Sequence, residues 1–295
     1  MTLDQLRIFV AVAERQHVTR AAEALNIVQS AVSAAVSGLE ERHAVKLFHR
    51  VGRGIELTDA GRIFLEEARA VLARAEAAER VLADLSGLRR GSLRLHASQT
   101  IASHWLPRHL VAFRAAYPEI TIRLAVGNSA EVARAVADGS AELGFVEGEV
   151  EDPALTSATV AQDRLVLVVP AGHPFATRTT LTAADLSGQT WVLREAGSGT
   201  RAVFETALAA AGVSLADLMV TLELPSNEAV LAAIEAGAGA SVLSEAVVAG
   251  ALAAGAVVAA PFPLPTRTFR MLRHRDRYRS LAAEALLGVI RAGTP

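Results

Sequence analysis

Thr19–Arg42 reads "TRAAEALNIVQSAVSAAVSGLEER", and this stretch decides the fold of the amino-terminal part of the chain. Apolar residues recur at helical spacing on both sides of Asn26, and asparagine readily adopts the left-handed conformation that closes a helix. We therefore predict a helix to Leu25, a tight turn at Asn26 and a second helix to Arg42. Two short helices joined in this way form a helix-turn-helix candidate.

The flanking residues extend this motif into a small domain. An earlier helix begins at Thr2, which with Gln5 forms a capping box that satisfies free amide groups at the helix start. Downstream, "LFHRVGRGIELT" places apolar residues on either side of Gly52 and Gly54, which supply the positive backbone angles that a hairpin tip needs. The sequence thus predicts a β wing after the helix-turn-helix.

A long helix follows the wing. Thr58 caps a helical pattern that runs to about Leu88, with Asp59 favourably placed near the positive end of the helix dipole. Its apolar stripe lies between charged faces and has no obvious domain of its own to pack against, so a second copy of the chain is the expected partner. The stripe consists of Phe64, Ala68, Val71, Ala75, Ala78, Leu82 and Leu85.

Beyond Ser92 the pattern changes to short apolar strands that alternate with Ala-rich helices. The predicted strands are Leu93–Ala97, Ile120–Val126, Leu143–Val146, Leu165–Val169, Val192–Leu193, Met219–Leu224, Ser241–Leu243 and Phe269–Leu272. This alternation predicts mostly parallel sheets that are covered on both faces. The length suits two such lobes with a cleft between them.

Composition excludes several classes of protein. The 295 residues contain no cysteine, which excludes disulfides, thiolate catalysis and cysteine-ligated zinc. The charged residues in the apolar amino-terminal run argue against a secretory signal, so a cytoplasmic location is expected. The net charge of −2 means that any nucleic-acid surface has to be a local basic face.

One uncharged segment, Ala246–Leu264, is long enough to cross a bilayer. Pro261 and Pro263 break its end, and Gly250 and Gly255 divide it into helix, turn and short strand. We therefore expect a buried α/β element and no membrane partner.

Several segments resemble LysR-type transcriptional regulators, most closely the branch that includes regulators of sulfur metabolism. Residues 3–61 resemble the family's amino-terminal domain. The segments "GSLRLHASQT", "YPEITIRLAVGN", "ELGFVEG", "REAGSGTR" and "SNEAVLAAIEAGAGASVLSE" resemble landmarks of its effector domain. Residue 28 is usually Ser or Thr in this family but is Val28 here, and many relatives carry basic or amide side chains where this chain has Ala34 and Ala35.

The resemblance implies an α/β protein with three parts. Residues 1–58 would form a winged helix-turn-helix, 59–88 a dimerisation helix, and 92–295 a two-lobed α/β effector domain like that of periplasmic binding proteins. Lobe I would combine 92–162 with 267–295, and lobe II would contain 163–266. The expected partners are double-stranded promoter DNA, a small coinducer in the cleft and a second copy in a bacterial homodimer or homotetramer. RNA polymerase is a possible further partner, and no other cofactor is expected.

The predicted recognition helix has no charged residue between Asn26 and Leu39. Such a helix can still read DNA if cations elsewhere hold it on the phosphates, because phosphate contacts position a protein and base contacts specify the sequence. The residues predicted to hold the phosphates are Arg20, Arg50 and Arg53, with Arg42 and Lys46 as further candidates. The residues predicted to read the bases are Gln29, Ser30 and Ser33. Alternatively, the serines are solvated and Arg50 pairs with Glu40 or Glu41.

Three hydroxyl-bearing helix starts are predicted to meet at the cleft. They are Ser98, Gln99 and Thr100; Ser198, Gly199 and Thr200; and Ser226 with Asn227. Helix amino termini attract anions, so a small anionic metabolite is the expected ligand, although the serines could be ordinary caps. The resemblance places Glu147 near the pocket, where it would repel an anion unless it is protonated, or would hold an amino or hydroxyl group. Arg194 is a candidate to offset its charge.

Other classes of function fit less well. "GSGT" lacks the ending of a phosphate loop, "GAGAS" lacks the third glycine of a dinucleotide motif, and the eight histidines show no HExxH pattern. We therefore do not expect an enzyme. A solute-binding protein would share the two lobes but would not need the helix-turn-helix. A regulator that has lost DNA binding stays an alternative because of Val28 and the uncharged helix.

Overall fold

The computed structural model describes residues 1–51, 54–85 and 91–293. These residues form two compact units, one from the amino terminus through the long helix and one from Gly91 onward. The first unit contains α1 (Leu3–Arg15), α2 (Val18–Leu25), α3 (Gln29–His43), β1 (Phe48–Val51), β2 (Gly54–Leu57) and α4 (Asp59–Leu85). The predicted winged helix-turn-helix is therefore present.

Local signals at the helix ends of the first unit are confirmed. Thr2 and Gln5 form the predicted capping box, and Asn26 ends α2 in the left-handed region with φ of 60°. Gly54 begins β2, and the positive backbone angles expected at the hairpin tip stay a prediction. Gly52 lies outside the described residues.

The core of the first unit joins α1 to α4. Its buried members are Leu6, Phe9, Ala13, Leu39, Leu47, Leu57, Leu65 and Ala68. The expectation that the stripe of α4 lacks a cover within its own chain was therefore wrong for its first half, because Phe64 and Ala68 pack into this core. Val71 and Leu82 keep 42% and 68% exposure.

The second unit is a mixed α/β structure. Its strands are β3 (Gly91–Ser98), β4 (Ile120–Gly127), β5 (Leu143–Glu147), β6 (Leu155–Pro170), β7 (Thr190–Arg194), β8 (Met219–Leu224), β9 (Ser241–Ser244), β10 (Val257–Ala260) and β11 (Thr266–His274). Its helices are α5 (Leu106–Ala116), α6 (Ser129–Asp138), α7 (Ala183–Leu186), α8 (Gly199–Ala210), α9 (Asn227–Glu235), α10 (Glu245–Ala253) and α11 (Leu281–Ala292). A π-helical turn, Ile101–Trp105, precedes α5.

Strand β6 connects two sheets. One sheet has the order β6-β11-β5-β3-β4, and the other places β10 and β9 on the second half of β6. Strands β7 and β8 form a parallel pair. Each sheet has its own buried cluster, around Trp105, Phe113 and Phe145 in one and around Trp191 and Phe204 in the other. The second unit is thus two-lobed.

The expectation of mostly parallel sheets holds only in part. Strands β3, β4 and β5 are mutually parallel, but β6 and β11 pair antiparallel over Leu155–Arg164 and Thr266–His274. Only 165–169 of β6 had a strand signal, because the first half of this strand is mostly polar and solvent-exposed. Short apolar runs in the sequence therefore predicted the strands of the lobe cores but did not predict the polar first half of β6.

The uncharged segment 246–264 falls within the second unit. As predicted, it contains a helix, a turn and a short strand, namely most of α10, residues 254–256 and β10. The expectation of a buried element divided at Gly250 was wrong, because Gly250 lies inside α10 and only Val248, Val257 and Ala260 of the segment are buried. Within the part of the chain that the structure describes, no helix is both long enough and apolar enough for a membrane span.

Candidate DNA-binding surface and effector cleft

Helix α3 presents one uncharged polar face to solvent. Gln29, Ser30 and Ser33 are exposed, as is Ala34, whereas the side chains of Val32 and Leu39 are buried against the unit's core. The three residues predicted to read bases therefore share the accessible side of the helix.

Val28 begins α3 without a side-chain cap. It is 68% exposed, and its carbonyl oxygen accepts from the amide of Ala31 at 3.0 Å, but no side chain caps the helix. Asn26 does not replace the missing hydroxyl, because it closes α2. The departure at residue 28 thus leaves the helix start less stabilised, by about 1 kcal/mol relative to a serine or threonine cap.

Cations flank the exposed face of α3. Arg20 and Arg50 are exposed, and neither has an ion-pair partner among the described residues. The alternative pairing of Arg50 with Glu40 is not formed, and Lys46 takes that place with its Nζ 2.7 Å from Glu40 Oε2. Arg42 is exposed, and Arg53 lies outside the described residues.

Glu40 connects the end of α3 to the start of the wing. Its buried carboxylate accepts from the amide groups of Leu47 and Phe48 at 2.8 and 3.2 Å. Burial alone would raise the pKa of Glu40, but the hydrogen bonds from Lys46 and these two amides hold this pKa below its ordinary value. Sequence reasoning considered Glu40 only as a partner of Arg50 and missed its hydrogen bonds to the wing, although it lies four positions after Val36 on the inward face.

One groove is lined by residues from the start of α2, from α3 and from the wing. Its volume is about 300 Å³, and it is lined by His17, Val18, Thr19, Gln29, Arg50, Gly54 and Ile55. One residue predicted to read and one predicted to hold, Gln29 and Arg50, therefore line the same concave surface. The start of α2 contributes the remaining wall.

In the second unit, the predicted cleft residues gather around a buried arginine. Arg267 is 3% exposed, and its Nε donates to Asp163 Oδ2 at 2.6 Å. Its Nη1 donates to Thr200 Oγ1 at 2.8 Å and its Nη2 to Thr100 Oγ1 at 3.3 Å. Two of the predicted hydroxyls thus share one guanidinium that the sequence analysis did not single out, because Arg267 lies in a strand without a motif.

The turn after β3 also bonds directly to the start of α9. Asn227 Nδ2 donates to Thr100 Oγ1 at 3.1 Å, and the Asn227 amide donates to Gln99 Oε1 at 2.8 Å. The structure therefore brings Gln99, Thr100, Thr200 and Asn227 together, with hydrogen bonds that cross between the two lobes.

Glu147 faces this cluster from the end of β5. It is buried, accepts from Ser129 Oγ at 3.1 Å and lies 3.9 Å from Arg267 Nη2. Gly199 packs so closely that a Cβ at this position would be 2.8 Å from both the Glu147 carbonyl oxygen and Ser129 Oγ. A glycine is thus required where α8 meets β5.

The expectation that Arg194 offsets Glu147 was wrong. The Arg194 guanidinium instead holds Glu195 through two hydrogen bonds of 2.8 and 3.0 Å and also donates to Asn227 Oδ1. Burial alone would raise the pKa of Glu195, but the Arg194 contacts outweigh burial and lower it. Arg267 is the cation beside Glu147.

The three predicted serines have different surroundings. Ser226 Oγ accepts from the amide of Ala229 at 3.0 Å, so this serine is an ordinary cap of α9. Ser198 precedes α8 and is buried, without a side-chain cap bond. Ser98 Oγ is buried and has no hydrogen-bond partner in the described part of the chain.

Comparisons with known proteins give a consistent result. Residues 3–62 match the family model described as "Bacterial regulatory helix-turn-helix protein, lysR family", and residues 86–295 match the "LysR substrate binding domain". The chain is 35% identical to the HTH-type transcriptional regulator YeiE of Escherichia coli K12, covering 97% of this chain and 96% of that protein. It is 34% identical to a probable RuBisCO transcriptional regulator of Trichormus variabilis, covering 96% and 86%.

Two solved structures illustrate the likeness in fold. CbnR complexed with its target DNA covers 100% of both chains with a TM-score of 0.70 and 24% identity. The regulatory domain of Synechocystis CcmR in complex with 2-PG covers 69% of this chain and 97% of its own length, with a TM-score of 0.63 and 27% identity.

Proposed function

Because the chain belongs to the LysR family of transcriptional regulators, with a DNA-binding helix-turn-helix and an effector-binding domain, we propose that it binds promoter DNA as a homo-oligomer controlled by a small anion. It acts in the bacterial cytoplasm, where promoter DNA is available, and as a regulator rather than an enzyme. RNA polymerase is its further partner at the promoter.

The uncharged face of α3 is the proposed reading surface. Gln29, Ser30 and Ser33 contact base edges, Gln29 by pairing with adenine, while the arginines hold the phosphates. The observation that carries this proposal is the groove in which Gln29 and Arg50 meet. Arg20 and, at the wing, Arg53 complete the proposed set of phosphate contacts.

Fluorescence anisotropy with an operator selected from random DNA tests this assignment. We expect Gln29→Ala to weaken specific binding without changing its salt dependence. Arg50→Ala should also flatten the salt dependence, by a slope of roughly 0.9 for each phosphate that is no longer neutralised. Arg279→Ala, an exposed arginine of the second unit, is the matched control. Unchanged affinity in both first-unit variants would refute the proposed surface.

The proposed effector site lies between the lobes, whose boundaries we propose as 92–162 plus 267–295 and 163–266. An anion there takes hydrogen bonds from hydroxyl protons and from Arg267, in competition with Asp163 and Glu147. The proposed contacts are Ser98, Gln99, Thr100, Glu147, Ser198, Gly199, Thr200, Ser226 and Asn227, with Ser226 acting through its cap of α9. Support comes from the sharing of Arg267 by Thr100 and Thr200 and from the likeness to the CcmR domain.

Anion binding would change the contacts between the lobes and thereby the spacing of the paired DNA-binding units. By linkage, DNA of the favoured geometry must alter anion affinity by the same factor. Thermal shift assays with inorganic phosphate, sulfate and 2-PG test the site. A shift that is lost in Thr100→Val and kept in Thr177→Val, an exposed control, would support it, and no shift with any of these anions would refute the proposed anion class.

A further inference from the structure

We infer that His17, the residue that caps α2, is a further DNA contact and donates a hydrogen bond from Nε2 to a backbone phosphate. The inference rests on the DNA binding proposed above and adds a second contact from the start of α2, next to Arg20. His17 is not among the DNA contacts proposed above, which are arginines and polar residues of α3.

The first observation is the place of His17 in the groove. His17 and Thr19 line the same concave surface of about 300 Å³ as Gln29 and Arg50. A DNA strand that touches the start of α3 and the wing therefore passes the start of α2. His17 is half-buried and lines the groove, so part of its side chain is accessible there.

The second observation is the hydrogen bonding of the imidazole. His17 Nδ1 accepts from the amide of Arg20 at 3.4 Å and so caps α2. Because an accepting Nδ1 has no proton, the neutral ring carries its proton on Nε2. No partner of Nε2 is found among the described residues, which leaves this donor available to a ligand.

The third observation is the charge of the surroundings. The lining residues of the groove are neutral or cationic, and Arg50 on β1 is the charged member. Arg20, on α2 itself, is exposed beside His17. A surface with two arginines, a free imidazole N–H and no lining carboxylate suits the phosphodiester oxygens of DNA.

A matched pair of variants separates this contact from the capping role. Asparagine and aspartate are both good helix caps, so His17→Asn and His17→Asp preserve α2 but remove the Nε2 donor. We expect His17→Asn to weaken operator binding about threefold to tenfold, the effect of removing one hydrogen bond. His17→Asp should bind more weakly again, since its carboxylate faces a phosphate.

Anisotropy titrations of the full chain test this inference. Circular dichroism melts verify that the variants fold, and Arg50→Ala is the reference. Wild-type affinity in both His17 variants, alongside weakened Arg50→Ala, would show that His17 is only a cap and overturn the inference while DNA binding stands. Full affinity in all three variants would overturn the proposed surface as well.

Discussion

Arg267 is a residue whose substitution we expect to lower the stability of the second unit strongly. Its buried guanidinium contacts two carboxylates, those of Asp163 and Glu147, and two hydroxyls, those of Thr100 and Thr200. Buried charges are tolerated only when they are paired and hydrogen-bonded. The arginine is thus both a structural counter-ion and the proposed anchor for an anion.

Arg267→Met should destabilise the second unit by about 3 kcal/mol, because two buried carboxylates are left without their cation. Urea unfolding followed by the fluorescence of Trp105 and Trp191 measures this destabilisation. Adding Asp163→Asn should recover part of it, since one unpaired charge disappears. A single variant as stable as Arg279→Met, which removes an exposed arginine, would contradict this description of the cluster.

Glu40 has a corresponding role in the first unit. Its lowered pKa means that its contribution to stability is present above the unfolded-state pKa of about 4.3 and is lost as pH falls through the lower folded value. We expect Glu40→Gln to cost about 2 kcal/mol at neutral pH and to flatten the decline in stability at acid pH. Hydrogen exchange at the amides of Leu47 and Phe48 is the direct readout. Unchanged protection of both amides in the variant would contradict the proposed link between α3 and the wing.

Among the elements, α8 and α9 both begin against the opposite lobe, and α8 does so at Gly199. Gly199→Ala places a methyl 2.8 Å from the Glu147 carbonyl oxygen and Ser129 Oγ. We expect this wedge to separate α8 from β5, to cost about 1 to 3 kcal/mol and to increase exchange at the Asn227 amide. Gly250→Ala in α10, where a Cβ meets nothing within 4 Å, is the control. Equal exchange at the Asn227 amide in the two variants would show that close packing at Gly199 does not hold the two lobes together.

Helix α4 carries the proposed dimer surface. Ile63 (71% exposed), Val71 and Leu82 lie on one side of the helix, and an apolar groove of about 400 Å³ adjoins Ile63 at its base. A second copy is the proposed cover because Ile63 and Phe64 line the groove on the same helix that exposes Val71 and Leu82. Val71→Glu with Leu82→Glu should weaken the dimer by about four orders of magnitude in sedimentation equilibrium. Two apolar side chains in each of two copies lose ~1.5 kcal/mol apiece, about 6 kcal/mol in all, and about 1.4 kcal/mol corresponds to tenfold. Leu281→Glu, an exposed leucine of the second unit, is the control, and equal dissociation of both proteins would refute the surface.

Over the whole molecule, the features that could be predicted from the sequence are those that depend on residues close together in the chain. Capping residues, the left-handed Asn26 and helical periodicity located the helix-turn-helix, because each depends on a few neighbouring residues. The family resemblance supplied the two-lobed architecture. Hydroxyls at helix starts found Thr100, Thr200 and Asn227, which do come together.

What the sequence could not predict depends on contacts between distant residues. Arg267 contacts Thr100 across 167 positions. A strand was predicted at Phe269–Leu272, but no local pattern distinguishes Arg267 beside it. Glu40 resembles any helix glutamate until the wing folds back over it. The first half of β6 is mostly polar although it pairs with β11 along its length, and Val160 and Ala161 pack against the cluster around Trp105.

The central claim is that this regulator reads promoter DNA through an uncharged helix that is held by arginines on neighbouring elements. Genome-wide chromatin precipitation of the tagged protein in its native host, comparing wild type with the Gln29→Ala, Arg50→Ala double variant, tests it most directly. We predict sharp wild-type peaks at promoters that disappear in the double variant at equal expression. Peaks of the same strength in both proteins, or no peaks in either, would contradict the claim.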